Sequence, residues 1–140
     1  MRVEELVKRG FLKRIKPDKR MVEHELKEAE YDLEKAKISY QEGDFKWSTI
    51  KAYYTMFHAG RAILFSRGFK DRRHFAVGMF LEELAKRGEI KFSLVDSFRA
   101  GMSAREDADY GGIYFEDVAL QTLQMAEEFV EEVKKILFKK

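Results

Sequence analysis

Residues 42–68 read EGDFKWSTIKAYYTMFHAGRAILFSRG, and this stretch decides the fold. From about Phe45 to Ser66, apolar side chains recur on most sides of a helix, which is typical of a helix buried on several sides. Gly43 suits the left-handed position after a helix, and Asp44 can accept the free N–H groups of the next first turn. The stretch predicts a central helix joined by a very short link to an antiparallel neighbour.

Helical patterns extend on both sides of this central segment. A long helix is predicted from Pro17-Asp18 to Gly43, because its apolar residues recur every three or four positions. Further helices are predicted over residues 72–87, from Ser93 to Gly111-Gly112, and from about Glu116 to Phe138, and the first dozen residues can add a short one.

Capping residues support two of these helix starts. Asp71 is the predicted N-cap of the helix over residues 72–87. Ser93, with Asp96 three residues later, resembles a capping box. No segment alternates between apolar and polar residues over a strand's length, so we predict no sheet. The expected fold is all-α, an up-and-down antiparallel bundle of about five helices.

Length and composition indicate one domain. The 140 residues fit a single core, 45% are hydrophobic, and there is one proline. We expect one helical domain over residues 1–140, in which residues 1–17 are a short basic N-terminal extension. The chain has no cysteine, which excludes disulfides and thiolate metal sites and favours a cytoplasmic location. No apolar run approaches the roughly 20 residues that span a bilayer, and we expect no membrane association.

Charge is nearly balanced but unevenly distributed. The formal net charge of +2 argues against a dedicated nonspecific DNA-binding protein. Lysine and arginine dominate residues 1–20 and 61–73, whereas residues 116–132 contain acids and no base. These runs indicate either a basic and an acidic side or ordinary solvated faces.

The three histidines have different expected roles. His58 is expected to be a core histidine bonded to a tyrosine. His74 follows Arg72 and Arg73 at a predicted helix start, where N–H groups and cations can hold a phosphate. His24 is expected to be solvated. None is spaced as zinc ligands are, and no metal site is predicted. Aromatic residues at helical spacing in the central helix favour core packing over base stacking.

The most charged motif is SAREDADYGG, residues 103–112. Arg105 and Asp109 are four residues apart, on one helix face, so a simple ion pair is one interpretation. Tyr110 is rotated about 140° from Arg105 on an ideal helix, so the two can touch in one subunit only where the helix ends.

Residues 42–68, followed by RRHFAVGMF and REDADYGG, resemble the HEPN superfamily, and within it the small stand-alone proteins of the UPF0332 group. The similarity extends from about residue 22 to about residue 133. The resemblance implies a helical bundle that commonly forms a homodimer and is frequently encoded with a minimal nucleotidyltransferase in toxin and antitoxin pairs. It implies no cofactor.

The resemblance also implies candidate catalytic residues. Many HEPN proteins are metal-independent endoribonucleases whose motif is an arginine, four to six other residues and a histidine, with two copies meeting at the dimer interface. Arg105 fits the arginine, and Tyr110 occupies the histidine position. Arginine can stabilise the transition-state charge, but a phenol, which titrates at about pH 10, is a poor base. In some HEPN toxins a nearby tyrosine is nucleotidylated, which makes Tyr110 a candidate acceptor.

Three functions are therefore compatible with the sequence. The first is a dimer that binds RNA or nucleotide phosphates at Arg105 and His74, with Arg73 and Asp109 as further binding residues, and that works with a nucleotidyltransferase. The second is a non-enzymatic subunit that docks this partner, with Arg105 and Asp109 as an ion pair. The third is an active endoribonuclease in which His74 is the base.

Overall fold

The computed structural model describes residues 2–138. Met1, Lys139 and Lys140, which the predicted domain includes, lie outside the described residues. The described chain contains six helices and two short strands, in this order: α1 (Val3–Lys8), β1 (Leu12–Arg14), α2 (Lys19–Gln41), α3 (Phe45–Ser66), β2 (Phe69–Asp71), α4 (Ala76–Lys86), α5 (Phe92–Asp109) and α6 (Glu116–Leu137). The prediction of an all-α bundle is confirmed.

The α2–α3 hairpin forms as its sequence predicts. The Asp18 carboxylate accepts hydrogen bonds from the backbone N–H groups of Arg20 and Met21 at 2.8 and 3.4 Å and caps α2. Gly43 has a positive φ of 77°, and Asp44 accepts from the N–H of Trp47 at 3.2 Å. A left-handed glycine followed by an N-cap thus reverses the chain within a few residues.

Helix α3 is the centre of the molecule. It packs against α2, α4, α5 and α6, and Tyr53, Met56 and Ile63 are fully buried. At Gly60 the neighbouring helices approach so closely that a Cβ atom would lie 3.1 Å from Cγ1 of Val77. The prediction of a helix buried on several sides is confirmed, and the position of α3 determines which side chains of the other helices meet.

A two-stranded antiparallel ribbon corrects the prediction that the chain has no sheet. Strands β1 and β2 pair Leu12 with Asp71, Lys13 with Lys70, and Arg14 with Phe69. Strands of three residues are too short to produce a recognisable two-residue alternation, which is why the sequence pattern did not predict them.

The first residues pack into the common core. The side chains of Val3, Leu6 and Leu12 are almost completely buried. Two backbone hydrogen bonds of 2.9 Å extend the ribbon, from Ile15 N–H to the Gly68 carbonyl and from Arg72 N–H to the Phe11 carbonyl. The N-terminal segment is therefore tied to the connection between α3 and α4.

Two predicted helix starts are wrong. Helix α4 begins at Ala76, and Asp71 belongs to β2, where its carboxylate accepts a hydrogen bond from Arg61. Helix α5 begins at Phe92, before Ser93, and no side chain caps it. Local sequence suggested caps at both places, but the ribbon fixes Asp71, and the N-cap position of α5 is Lys91, two residues before Ser93. Residues 72–75, including His74, form a turn before α4.

Candidate functional site

The guanidinium of Arg105 lies among three tyrosine rings. Its central carbon is 5.2 Å from the ring centre of Tyr53, 5.8 Å from that of Tyr54 and 5.9 Å from that of Tyr110. Aromatic faces attract cations at these distances. The side chain of Arg105 is 12% exposed. We call Arg105, the three tyrosines and His74 the Arg105 cluster.

Arg105 has hydrogen-bonding capacity that the described chain leaves unused. Its Nε atom is buried and has no hydrogen-bond partner among residues 2–138. The carboxylate of Asp109 lies 3.9 Å from Nη1, which is too long for a direct hydrogen bond. The ion pair expected from the sequence is thus present as a loose contact, and the guanidinium has donors available for another acceptor.

His74 reaches the same cluster from the turn before α4. Its Nε2 atom lies 2.6 Å from the hydroxyl of Tyr53. Its ring stacks on Phe57, with 4.2 Å between ring centres and 6° between planes. Because Tyr53 contacts both His74 and Arg105, two residues that the sequence placed on different helices lie in one site.

The surroundings set the protonation of this pair. Burial lowers the pKa of His74, the positive charge of Arg105 lowers it further, and Asp71 partly opposes both. Burial raises the pKa of Tyr53 far above its usual range. At neutral pH the imidazole is therefore uncharged and the phenol protonated. The phenol can donate to Nε2, or the other histidine tautomer can donate from Nε2 to the phenol oxygen.

Tyr110 contacts Arg105 because α5 ends there. It is the C-terminal cap of α5, and its side chain is 78% exposed although its ring faces the guanidinium. Asp109 is exposed on the last turn. Arg73 is exposed beside His74 and makes no ion pair within the described part of the chain. The structure thus brings Arg105, Tyr110 and His74 together and places Asp109 and Arg73 at the margin.

His58 has different partners from those expected. It donates from Nδ1 to the carboxylate of Glu25 at 3.1 Å, and its Nε2 lies 3.6 Å from Asp32. The tyrosine-bonded histidine is His74 instead. His24 is well exposed, as expected, and lies 3.8 Å from Glu28.

Glu25 is the centre of a polar network that the sequence analysis missed. Arg61 donates from Nη1 to Glu25 at 2.7 Å and from Nε to Asp71 at 3.0 Å. Burial raises the pKa of Glu25, but the His58 hydrogen bond and the Arg61 charge lower it by more. We call Glu25, Asp32, His58, Arg61 and Asp71 the Glu25 network. A sequence signal existed, because Glu25 is an acid within the apolar stripe of α2.

The described residues offer neither a cluster of metal ligands nor a membrane-spanning helix. Within residues 2–138, His, Asp and Glu side chains form no group of three or more that could hold a metal ion. Across the same residues, no helix combines the length and the apolar character that crossing a bilayer requires.

Comparison with known proteins gives a consistent result. A family model described as the HEPN domain matches residues 22–137. The chain is 29% identical to a UPF0332 protein of Archaeoglobus fulgidus over 116 residues, which cover 81% of this chain and 92% of the relative. It is 26% identical to a Methanocaldococcus jannaschii protein named a "putative toxin", over 87% of this chain and 85% of that one. A UPF0332 protein of Pyrococcus horikoshii is 38% identical over 56 residues, about two fifths of each chain.

Proposed function

Because the chain belongs to the HEPN domain family, we propose that it binds RNA or nucleotide phosphates at the Arg105 cluster, as a component of a nucleotidyltransferase-linked system of the toxin and antitoxin type. The single observation that carries the proposal is the arrangement of Arg105. A permanently charged guanidinium that makes no hydrogen bond within the described chain suits a phosphate, whose oxygens accept charge-assisted hydrogen bonds.

The rest of the cluster suits the same ligand. The rings of Tyr54 and Tyr110 lie beside the guanidinium and can contact a base or ribose. Neutral His74 can exchange hydrogen bonds with a ligand without adding charge repulsion to Arg105. Binding is favoured over fast cleavage, because Tyr110 stands where the RNase motif has its histidine.

Tyr110 is also the proposed site of modification. Its exposed hydroxyl can attack the α-phosphorus of a nucleoside triphosphate on a nucleotidyltransferase. The phenol oxygen forms the new phosphodiester bond and loses its proton, while the bond to the β-phosphate breaks and pyrophosphate leaves. A nucleotidyl group there would add negative charge beside Arg105 and compete with RNA for the guanidinium.

The proposed assembly is a cytoplasmic homodimer in which two Arg105 clusters share one cleft. Exposed apolar residues follow α5 directly, with Ile113, Tyr114 and Phe115 at 52%, 45% and 61% exposure. Apolar side chains concentrated beside the cluster suit an interface with a second copy or with the nucleotidyltransferase. The name of the Methanocaldococcus jannaschii relative supports a role in a toxin system.

The same exposed segment favours the second candidate, a non-enzymatic subunit that docks the nucleotidyltransferase. In that case Arg105 and Asp109 act as an ion pair and nucleic acid does not bind. Coexpression of the two proteins tests this candidate: a stable complex without RNA affinity supports it, and failure to copurify rejects it.

The neutral state of His74 favours the third candidate, an active endoribonuclease. Base catalysis would require the tautomer in which Nε2 donates to Tyr53 and Nδ1 is free to take the ribose 2′-OH proton. This candidate predicts RNA cleavage in EDTA that both His74→Ala and Arg105→Ala abolish. Absence of cleavage above a mock-purified control rejects it.

The central proposal is tested by RNA binding of Arg105→Gln. We expect the dissociation constant for a labelled oligoribonucleotide to rise roughly tenfold, with a weaker salt dependence, because a phosphate contact is lost. Arg99→Gln is the matched control, since Arg99 lies on the same helix and pairs with Glu82 at the surface. Equal affinities for the wild type and Arg105→Gln would remove Arg105 from the binding site. Mass spectrometry after incubation with the nucleotidyltransferase and ATP tests Tyr110 as the acceptor.

A further inference from the structure

The ribbon brings two basic stretches of the sequence together. Lys13 and Lys70 are directly paired across β1 and β2, and both are exposed. Residues opposite each other in an antiparallel pair point to the same side, so two ammonium groups share the outer face. Like charges in this arrangement destabilise a ribbon, a cost that the burial of Leu12 and the hydrogen bonds at the ends of the ribbon offset.

No described acid compensates these charges. Neither lysine makes an ion pair within residues 2–138, and the same is true of Arg72 and Arg73, which follow β2. Asp71, the acid of this strand, has a side chain only 11% exposed and is held by Arg61 at 3.0 Å. The outer face of the ribbon therefore carries positive charge that the described chain leaves unpaired.

A groove and an exposed aromatic ring lie next to these cations. Lys13 and Arg72 line a shallow groove with Leu12 and Arg14, whereas Lys70 lies outside it. Phe75, 45% exposed, is held edge-on against Phe11 with 4.9 Å between ring centres. A fixed, exposed ring among cations can stack a base while the cations contact the backbone.

We propose that this surface, Lys13, Lys70, Arg72, Arg73 and Phe75, binds single-stranded RNA by its phosphodiester backbone and directs it to the Arg105 cluster. We call it the ribbon face. The delivery of RNA to Arg105 rests on the proposed function. RNA binding by the ribbon face is argued from the contacts of that surface alone.

Two observations favour RNA as the occupant. Arg73 immediately precedes His74, so the ribbon face and the Arg105 cluster are adjacent along the chain. The apolar part of the face is a single ring, whereas a helix that binds a lipid surface presents a continuous apolar side. The family match begins at residue 22, so β1 and Lys13 lie outside the matched region.

The double variant Lys13→Gln/Lys70→Gln tests the proposal. We expect roughly tenfold weaker binding of a fluorescein-labelled single-stranded oligoribonucleotide, and a slope of log K against log salt that is smaller by about 1.4 for two lost phosphate contacts. The melting temperature should stay equal or rise, because two opposed charges are removed. Lys27→Gln/Lys135→Gln, which removes two exposed lysines from α2 and α6, should bind like the wild type.

The outcomes separate this inference from the proposed function. If the wild type binds no RNA, both are wrong. If Arg105→Gln binds weakly but the ribbon variant binds like the wild type, the ribbon face is rejected and the Arg105 site stands. If the ribbon variant alone is weakened, the ribbon face stands and the Arg105 site falls.

Two further measurements keep the test decisive if the ribbon variant unfolds or if the occupant is a lipid surface. If the ribbon variant unfolds, Arg72→Gln/Arg73→Gln repeats the test outside the strands and should also weaken binding. Vesicles of phosphatidylcholine with phosphatidylserine test a lipid occupant. Loss of vesicle binding in the ribbon variant, with RNA affinity unchanged, would overturn the proposal.

Discussion

The hydroxyl of Tyr53 lies 2.6 Å from Nε2 of His74. The guanidinium of Arg105 lies over the ring of the same buried tyrosine, 5.2 Å from the ring centre. A residue of the central helix thus fixes the relative positions of a turn and of α5. A substitution at Tyr53, His74 or Arg105 should therefore change the surroundings of the other two residues.

The first prediction concerns the titration of His74. Its pKa should lie below the ordinary value of about 6.5, because burial and the Arg105 charge disfavour the imidazolium. Arg105→Gln should raise the pKa toward the ordinary value. NMR titration of the histidine ring protons measures both, and Arg99→Gln should leave the pKa unchanged.

Stability should follow the same titration. A histidine whose pKa is lowered by folding binds protons more readily in the unfolded chain, so its contribution is complete above the unfolded pKa and decreases as the pH falls from there toward the folded pKa. The free energy of unfolding should therefore decrease as the pH falls below about 6.5. His74→Gln should reduce this slope, and an unchanged slope would contradict the assignment.

The second prediction concerns the Tyr53 hydroxyl. Tyr53→Phe keeps the ring under Arg105 but removes the hydrogen bond to His74. We expect a loss of about 1 kcal/mol in the free energy of unfolding, typical of one hydrogen bond. RNA affinity should fall less than in Arg105→Gln. Tyr54→Phe is the control, because it also removes a phenol hydroxyl from the cluster, and no hydrogen bond joins that hydroxyl to Arg105. Chemical denaturation of the two variants side by side makes the comparison.

The third prediction concerns Glu25. Glu25→Gln should destabilise the protein by roughly 3 kcal/mol, because Arg61 loses the buried charge that balances it and His58 loses its carboxylate acceptor. Asp32→Asn, which changes the more exposed partner of His58, should cost much less.

The pH dependence gives an independent check on Glu25. Its pKa is lowered in the folded protein, so its contribution is present above the unfolded pKa and is lost as the pH falls through the folded one. The free energy of unfolding of Glu25→Gln should thus decrease less steeply with falling pH than that of the wild type. A variant as steep as the wild type would argue that the carboxylate is not the titrating group.

The fourth prediction concerns the N-terminal segment. Leu12 is 1% exposed, and Leu12→Ala should lower the free energy of unfolding by roughly 3 kcal/mol in a single transition. Lys16→Ala, an exposed neighbour, should have little effect. If Leu12→Ala leaves the melting temperature unchanged, the segment is not part of the cooperative core.

The sequence predicted the long helices well because their apolar stripes repeat over many turns. Asp44 was predicted as a cap and is one, since a cap depends on its own first turn, and Asp18, where the α2 pattern was predicted to begin, also caps its helix. The predictions that Asp71 and Ser93 cap helices were wrong for the opposite reason, because contacts with distant residues determine the backbone conformation there. The ribbon could not be predicted, since its two strands are short and far apart in the chain.

The candidate site was predicted in part. Arg105, Tyr110 and His74 were each identified, two by resemblance and one by its basic neighbours. Tyr53 was assigned to core packing, which is correct for its ring but omits its hydroxyl. Helical spacing shows which side of α3 a residue faces, yet it does not show which residue of α5 or of the turn before α4 meets it there.

The ladder between Leu12 and Asp71 closes a loop that contains all of α2 and α3. Helical hairpins with short links form quickly, whereas contacts between distant residues wait for the intervening chain to be ordered. During synthesis the central hairpin can therefore assemble while α5 is still emerging. Arg105 and its tyrosine rings therefore meet late, and a nascent chain has no complete Arg105 cluster until most of its length has been made.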